Sequence, residues 1–567
     1  MMKKVLALCL VFTVIVSVFV SAQVQYGNLD GRNYNPKIDP NIDMFISHWK
    51  ESMPHHTFGS LIERDIFTKC EGDPLRPVVR GAVLTDVKRF SHATLQAGAS
   101  TTPSTLKDEQ IIFYIDGGKG TITAGGKTAE LYNGIGVLMP PGIKFTMTNT
   151  GDEPLTMYLI TESIPEGFKP NKVMKVSDEN VTPFQTSSVH WCHIHKKLFT
   201  KDDGLATLIG MGPVWFDPMT MGQPHSHGEG VEEIWFSLEG DISIFLGKQV
   251  RAFPPGAAYK IPPNGNTPHS TINISDEPVK VFWFMKVPEK STGGITKGPD
   301  YTQLDPKPYD PATEPNIDMY FGSWKESMPR HTHGSLIERD ILTKGDPAKP
   351  TTRGGVLRFA NRFTYATLEA RASTTPTTLK GEQEIFYILS GKGTITAGKK
   401  TAKLYSGIAV LMPAELAFTM KNTGDESLTM YLVSEPYPEG FRLNKDMLVV
   451  DENTSPITSS DAHWIGIVKP LFGTKDGLGT LESILVCSYD PMTFFHPHSH
   501  VEGTEEVWTA MGDDIHVLLG KQIRLQPPGT AYMIPNDGKT PHANFNLFDK
   551  TIKMFYFARY KDHEVRK

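Results

Sequence analysis

The chain writes its architecture twice. The stretch "PNIDMFISHWKESMPHHTFGSLIERDIFTK" begins at Pro40 and returns as "PNIDMYFGSWKESMPRHTHGSLIERDILTK" at Pro315. Beyond it the two halves stay in step, apart from an insertion of Cys70-Glu71 in the first copy. A duplication obliges both copies to bury the same faces, so any fold assigned to one half must suit the other. Residues 290–311, "KSTGGITKGPDYTQLDPKPYDP", join the copies, and their Gly, Pro and Asp content marks a linker.

Within each copy the pattern is that of short strands. "EIFYILSGKGTITAGKKTAKLYSGIAVLMP" alternates β-branched and aromatic residues with Gly-containing turns, as a hairpin-built barrel or sandwich does. The same rhythm recurs in "EEIWFSLEGDISIFLGKQVRAFPPGAAYKIP". Each copy therefore holds two β-domains, and a chain of 567 residues with 39 % apolar residues has room for four cores. The reading is all-β, with domains at residues 41–175, 176–289, 316–446 and 447–567. Residues 43–50 and 318–325 predict a short helical lead-in to each copy, capped by Asn or Asp.

Residues 1–22 stand outside this scheme. Lys3-Lys4, an apolar run over residues 5–20 and the small residues Ser21-Ala22 before Gln23 predict a cleaved secretory signal peptide. Cys9 follows Leu8, where a lipoprotein signal needs a small residue. The mature protein is expected to be secreted or periplasmic, without a membrane anchor. A net charge of −6 over this length gives no electrostatic case for nucleic acid. Cys70, Cys192 and Cys487 are odd in number and unmatched between the copies, so they read as single small residues.

Chemistry concentrates in "PHSHGEGVEE", residues 224–233, and "PHSHVEGTEE", residues 497–506. On a strand His225 and His227 point the same way. Glu233 follows on the next strand, and His269 comes from "IPPNGNTPHSTIN" after a further hairpin. The second copy repeats all four as His498, His500, Glu506 and His542. Three imidazoles and one carboxylate make a site for a divalent transition metal with open positions: iron, manganese, nickel, copper or zinc, two per chain. Burying these groups with no cation to neutralise them would be costly.

These residues resemble the two signature motifs of the cupin superfamily, whose fold is a small double-stranded β-helix barrel. The first motif is matched by Gly222 through "PHSHGEGVEEIWFSLEG". The second is matched by Gly256, Pro262, His269 and Asn273, and again by Gly529, Pro535, His542 and Asn546. The resemblance implies four cupin barrels arranged as two bicupin repeats. In the first and third domains, "GIGVLMPPGIKFTMTN" and "GIAVLMPAELAFTMKN" keep the second motif with Phe145 and Phe418 in place of the histidine. Thr105 and Thr378 fall in the region of the missing histidine pair, so these two barrels are expected to be metal-free structural partners.

Other shared residues are candidates for the pocket. Trp235 and Trp508 lie two residues past the ligand glutamates and are expected in the same lumen, either filling it or stacking on a flat substrate. Glu229 and Glu502, in the loop before those glutamates, are candidate acid–base groups or solvated carboxylates. His190-Trp191, His463-Trp464, His56 and His331 recur without an assigned role, and Arg251 and Arg524, with Gln249 and Gln522, either bind a carboxylate or face water. Two function classes stay open. One is a metal-dependent oxygenase, decarboxylase, isomerase or lyase acting on a small sugar acid, organic acid or phenolic; the other is a non-catalytic binding or storage-like protein. Oligomerisation is left open.

Overall fold

The computed structural model describes residues 29, 32–185, 191, 193–288, 304–305, 307–458, 464 and 466–560. The expected signal peptide, His190, Cys192, His463 and most of the linker lie outside the described residues. Among those described, all regular structure is strand or a 3-10 turn of three or four residues. No helix is long and apolar enough to cross a membrane.

The first part of each repeat pairs a large sheet with a small one. In the first copy the strands Lys175–Asp178, Ile135–Met139, Glu109–Gly117, Leu155–Ser163, Val87–Leu95, Leu61–Lys69 and His55–Thr57 lie side by side in that order. A four-stranded sheet, Ser104–Thr105, Lys144–Asn149, Gly120–Ala124 and Lys127–Leu131, faces it. Alternation decides which side chains enter: on Lys144–Asn149 Phe145, Met147 and Asn149 are buried, and Phe145 and Met147 meet Phe113, Ile122 and Leu159 in a common core. The second copy repeats this arrangement, with Phe418 and Met420 against Phe386 and Leu432.

The metal-motif halves are built the same way, with one addition. Glu232–Glu239 sits between Ala257–Lys260 and Val279–Lys286, and Ile46–His48 pairs antiparallel with Ala257–Lys260. Here the structure corrects the expected helical lead-in. Asn41 caps only a single 3-10 turn, Ile42–Phe45, before the chain becomes strand. An isolated turn of helix is unstable, whereas a strand laid on the Ala257–Lys260 edge satisfies backbone groups on both partners. Phe321–Ser323 does the same for Thr530–Met533. Domain edges are corrected too. The strands Lys175–Asp178 and Leu448–Asp451 belong to the sheets of the preceding halves, so the boundaries fall after them rather than at 175/176 and 446/447.

A glycine shows how closely the lead-in packs. Gly256 has φ of +91°, and a Cβ built there would stand 2.4 Å from Trp49 Nε1; Gly529, at φ +79°, would meet Trp324 Nε1 at 2.2 Å. Only glycine allows both the left-handed turn and the overlying indole.

The repeats are joined by hydrogen bonds as well as by the linker. One eight-stranded sheet runs from Thr220–Met221 through His269–Asn273, Ile242–Leu246 and Gln249–Phe253 into Thr493–Phe494, His542–Asn546, Ile515–Leu519 and Gln522–Gln526. The seam is reciprocal: Val250 N–H donates to Met492 O at 3.0 Å and Ile523 N–H to Met219 O at 2.9 Å. Such reciprocity is the signature of a two-fold interface between like units, here within one chain. Phe245 stacks on Trp464 of the other repeat, with ring centroids 5.3 Å apart and planes at 13°. Trp191, Phe494, Leu518 and Phe545 share that core, which gives Trp191 and Trp464 a packing role.

Candidate metal centre

Each centre is assembled from a loop, two strand starts and a bridge. His225 and His269 face one another across an isolated antiparallel bridge, with His269 N–H donating to His225 O at 2.9 Å. His498 and His542 repeat the bridge with the same 2.9 Å bond. In the first centre the ring centroids of His225, His227 and His269 are 4.8, 4.4 and 5.1 Å apart. Those of His498, His500 and His542 are 4.7, 4.5 and 5.0 Å apart. Two independently encoded sites thus share one geometry.

The carboxylates complete the sets unequally. Glu233 Oε2 lies 2.6 Å from His227 Nε2 and 3.2 Å from His269 Nε2, and one donor atom from each of His225, His227, Glu233 and His269 falls within 4.8 Å of all the others. Glu506 lies 2.9 Å from His500 Nε2 and 3.2 Å from His542 Nε2, while the cluster meeting the same mutual limit is His498, His500 and His542 alone. Glu506 also accepts from three further donors. Trp508 Nε1 donates to its Oε1 at 2.6 Å, and the hydroxyls of Tyr556 and Tyr560 donate to its Oε2 at 3.2 Å each.

The donor chemistry fits a divalent metal. His225 Nδ1–H donates to the Gln223 carbonyl at 2.7 Å and His498 Nδ1–H to the His496 carbonyl at 2.8 Å, which leaves Nε2 of each ring as the lone-pair nitrogen. This is how metal-binding histidines are oriented. Burial opposes charge on Glu233 and Glu506, but the adjacent imidazoles outweigh it and hold both carboxyls well below their usual range. Burial also lowers His269 and His542, outweighing the pull of the glutamates, so both rings favour the neutral, ligating form. Around His500 burial is outweighed by Glu506 and the pKa rises. The first centre is closed, with His227 and Glu233 side chains each 4 % exposed, whereas His500 is 16 % exposed. A cavity of about 10 Å³ adjoins the first centre, between His193, Trp235, Tyr259 and His269.

Of the remaining candidates, the two tryptophans border their centres, Trp508 on Glu506 and Trp235 on the small cavity beside His269, and the others lie elsewhere. Trp235 and Trp508 are buried among other rings, at 6 and 4 % exposure, so neither offers an open face for stacking. Glu229 and Glu502 are exposed on their loops and stand outside both His/Glu clusters. His56 and His331 are exposed on strands rather than in a helix. Arg251 and Arg524 do bind carboxylates: Arg251 grips Asp43 at 2.7 and 3.1 Å, and Arg524 grips Asp318 at 2.8 and 3.2 Å, fastening each lead-in to its metal-motif half.

The structure adds residues that motif spacing did not single out. Tyr556 and Tyr560 come from the last strand and its end, in "MFYFARY", an aromatic run whose alternation is a usable signal only once that strand is known to border Glu506. In the third domain His333, at φ +50°, reaches Glu384 at 3.1 Å, and Arg362 holds the same carboxylate at 2.6 Å. Phe145 and Phe418 are buried against Phe58 and His333 respectively.

Segments 91–161, 214–285 and 364–434 match the family model of the cupin domain. Three segments of the chain thus carry the cupin domain, consistent with a cupin repeat protein. The second centre lies outside the matched segments and is recognised by its geometry. No curated protein sequence matches. Among solved structures, a variant of oxalate decarboxylase from Bacillus subtilis is 11 % identical over 45 % of this chain and 81 % of its own, with a TM-score of 0.35. AerE from Microcystis aeruginosa is 11 % identical over 43 % of this chain and 100 % of its own, with a TM-score of 0.33.

Proposed function

We propose that the protein is exported, holds a divalent transition metal at each His/Glu cluster and is a metal-dependent enzyme acting on a small organic molecule such as a sugar acid, organic acid or phenolic. The carrying observation is the pair of matching three-imidazole triangles, each with a buried glutamate against two of its rings. A bound metal supplies Lewis-acid or oxygen chemistry at its open positions. This chain's residues supply the rest. His225, His227, Glu233 and His269 hold one ion, and His498, His500, Glu506 and His542 the other. The Gln223 and His496 carbonyls fix which nitrogen faces inward, and Trp508, Tyr556 and Tyr560 steady Glu506. The greater exposure of His500 favours the second centre for admitting substrate.

A second reading applies to the first centre. The adjoining cavity of about 10 Å³ holds no more than a water, which favours metal binding without turnover at that site. The deciding experiment is elemental analysis of the purified protein, followed by a screen of uronates, oxalate-type acids and phenolics under air and under nitrogen. Stoichiometric metal with turnover of one substrate class supports the enzyme. Absence of metal after purification in metal-supplemented buffer refutes both readings.

A further inference from the structure

We infer that the first repeat carries an additional cation site, separate from the two His/Glu clusters, made by His55, Glu63 and Asp65. One donor atom from each of these residues falls within 4.8 Å of the other two. The hairpin of His55–Thr57 and Leu61–Lys69 sets this up. His55 pairs directly with Glu63, so their side chains share a face, and Asp65, two residues on, points the same way.

The second repeat serves as an internal comparison, because its hairpin has the same register with Arg330 opposite Glu338. There the guanidinium spans both acids, with Nη2 2.9 Å from Glu338 Oε2 and Nη1 2.6 Å from Asp340 Oδ2. The Thr332 hydroxyl donates to Glu338 Oε1. A permanent cation therefore occupies the place between the two carboxylates.

In the first repeat that cation is replaced by an imidazole. His55 Nε2 stands 3.5 Å from Asp65 Oδ1. The Ser91 hydroxyl donates to one oxygen of Glu63, and the Arg89 guanidinium lies 2.9 Å from that same oxygen and 3.8 Å from Asp65. The other oxygen, Glu63 Oε2, belongs to a side chain with 0 % exposure and has no hydrogen-bond partner; the Thr57 hydroxyl, counterpart of Thr332, has none either. A buried carboxylate oxygen with no donor is unfavourable, and a divalent cation placed where the Arg330 guanidinium sits would satisfy it. One imidazole and two carboxylates suit zinc, with water completing the shell. His55 and Asp65, at 39 and 31 % exposure, leave the site open to entry from solvent.

The test is to equilibrate the full-length protein with zinc, dialyse it and count bound zinc per chain for wild type, His55→Arg and Asp65→Asn. His55→Arg imports the arrangement of the second repeat and should fold. Both variants are expected to hold one zinc fewer than wild type, however many the two His/Glu clusters hold, so this result stands apart from the proposed function. Equal zinc content in wild type and the folded variants overturns the site. Should His55→Arg fail to fold, undiminished zinc in Asp65→Asn overturns it alone.

Discussion

The dipeptides Glu232-Glu233 and Glu505-Glu506 put two buried carboxylates side by side, and their neighbours give them opposite duties. Glu233 faces the imidazoles, whereas Glu232 crosses into the preceding domain. There it accepts from the backbone N–H of Thr85, Asp86 and Val87 at 2.5, 3.1 and 2.7 Å. It is also a charge partner of Lys260, a fully buried lysine whose pKa is lowered, by burial first. Replacing Glu232 with Ala strands three N–H groups that had a charged acceptor. At about 1.5–3 kcal/mol for each such bond, reduced for water entering the gap, the cost is about 4 kcal/mol. For a unit the size of one repeat this lowers Tm by about 10 °C. Calorimetry of the metal-free protein reads that shift, and elemental analysis after reloading reads the ion. Glu232→Ala should lose stability and keep its metal; Glu233→Gln should lose the first metal. Glu505→Ala should behave like Glu232→Ala with a smaller shift, because Met533 occupies the place of Lys260. Metal loss in Glu232→Ala at unchanged Tm would refute the assignment of faces on this strand.

The two centres share no ligand, so the pair His225→Ala and His227→Ala should remove one metal and leave the second, checked by metal content. Activity on any substrate found should fall to about half if both centres turn over, and should vanish only when His498 and His500 are replaced too. Burial pushes His92 and His516 down to about 4, with His48 and Arg64 adding to the effect on His92. The unfolded chain, with histidines near 6.5, binds more protons between those values, so stability is lost as pH falls from about 6.5 to about 4, by about 2 kcal/mol per group. Tm of the metal-free protein should fall over that window, and His516→Phe should flatten the fall. N-terminal sequencing of exported protein should begin near Gln23, and a signal-intact chain would contradict export.

What the sequence determined by itself was whatever depends on local order. The repeated "SLIERDI" segments, the alternation in "IFYILSGKGTITAG" and the spacing of HxH, Glu and His are short-range patterns. Period-two alternation alone shows which residues share a face, so the all-β class and the eight ligand candidates were legible. It could not show what each face meets. The 43–50 segment follows a helix cap at Asn41, yet it forms only 3-10 turns on either side of a strand, Ile46–His48, because the edge at Ala257–Lys260 lay beside it. Glu232 and Glu233 are chemically alike, and only the docking of the preceding domain separates the clamp from the ligand. Tyr556 and Tyr560 lie some fifty residues beyond Glu506, and the shared sheet across Gln249 and Thr493 joins residues from different repeats. Such contacts are fixed by which edges and faces remain unsatisfied once each domain has formed, and that is settled in three dimensions.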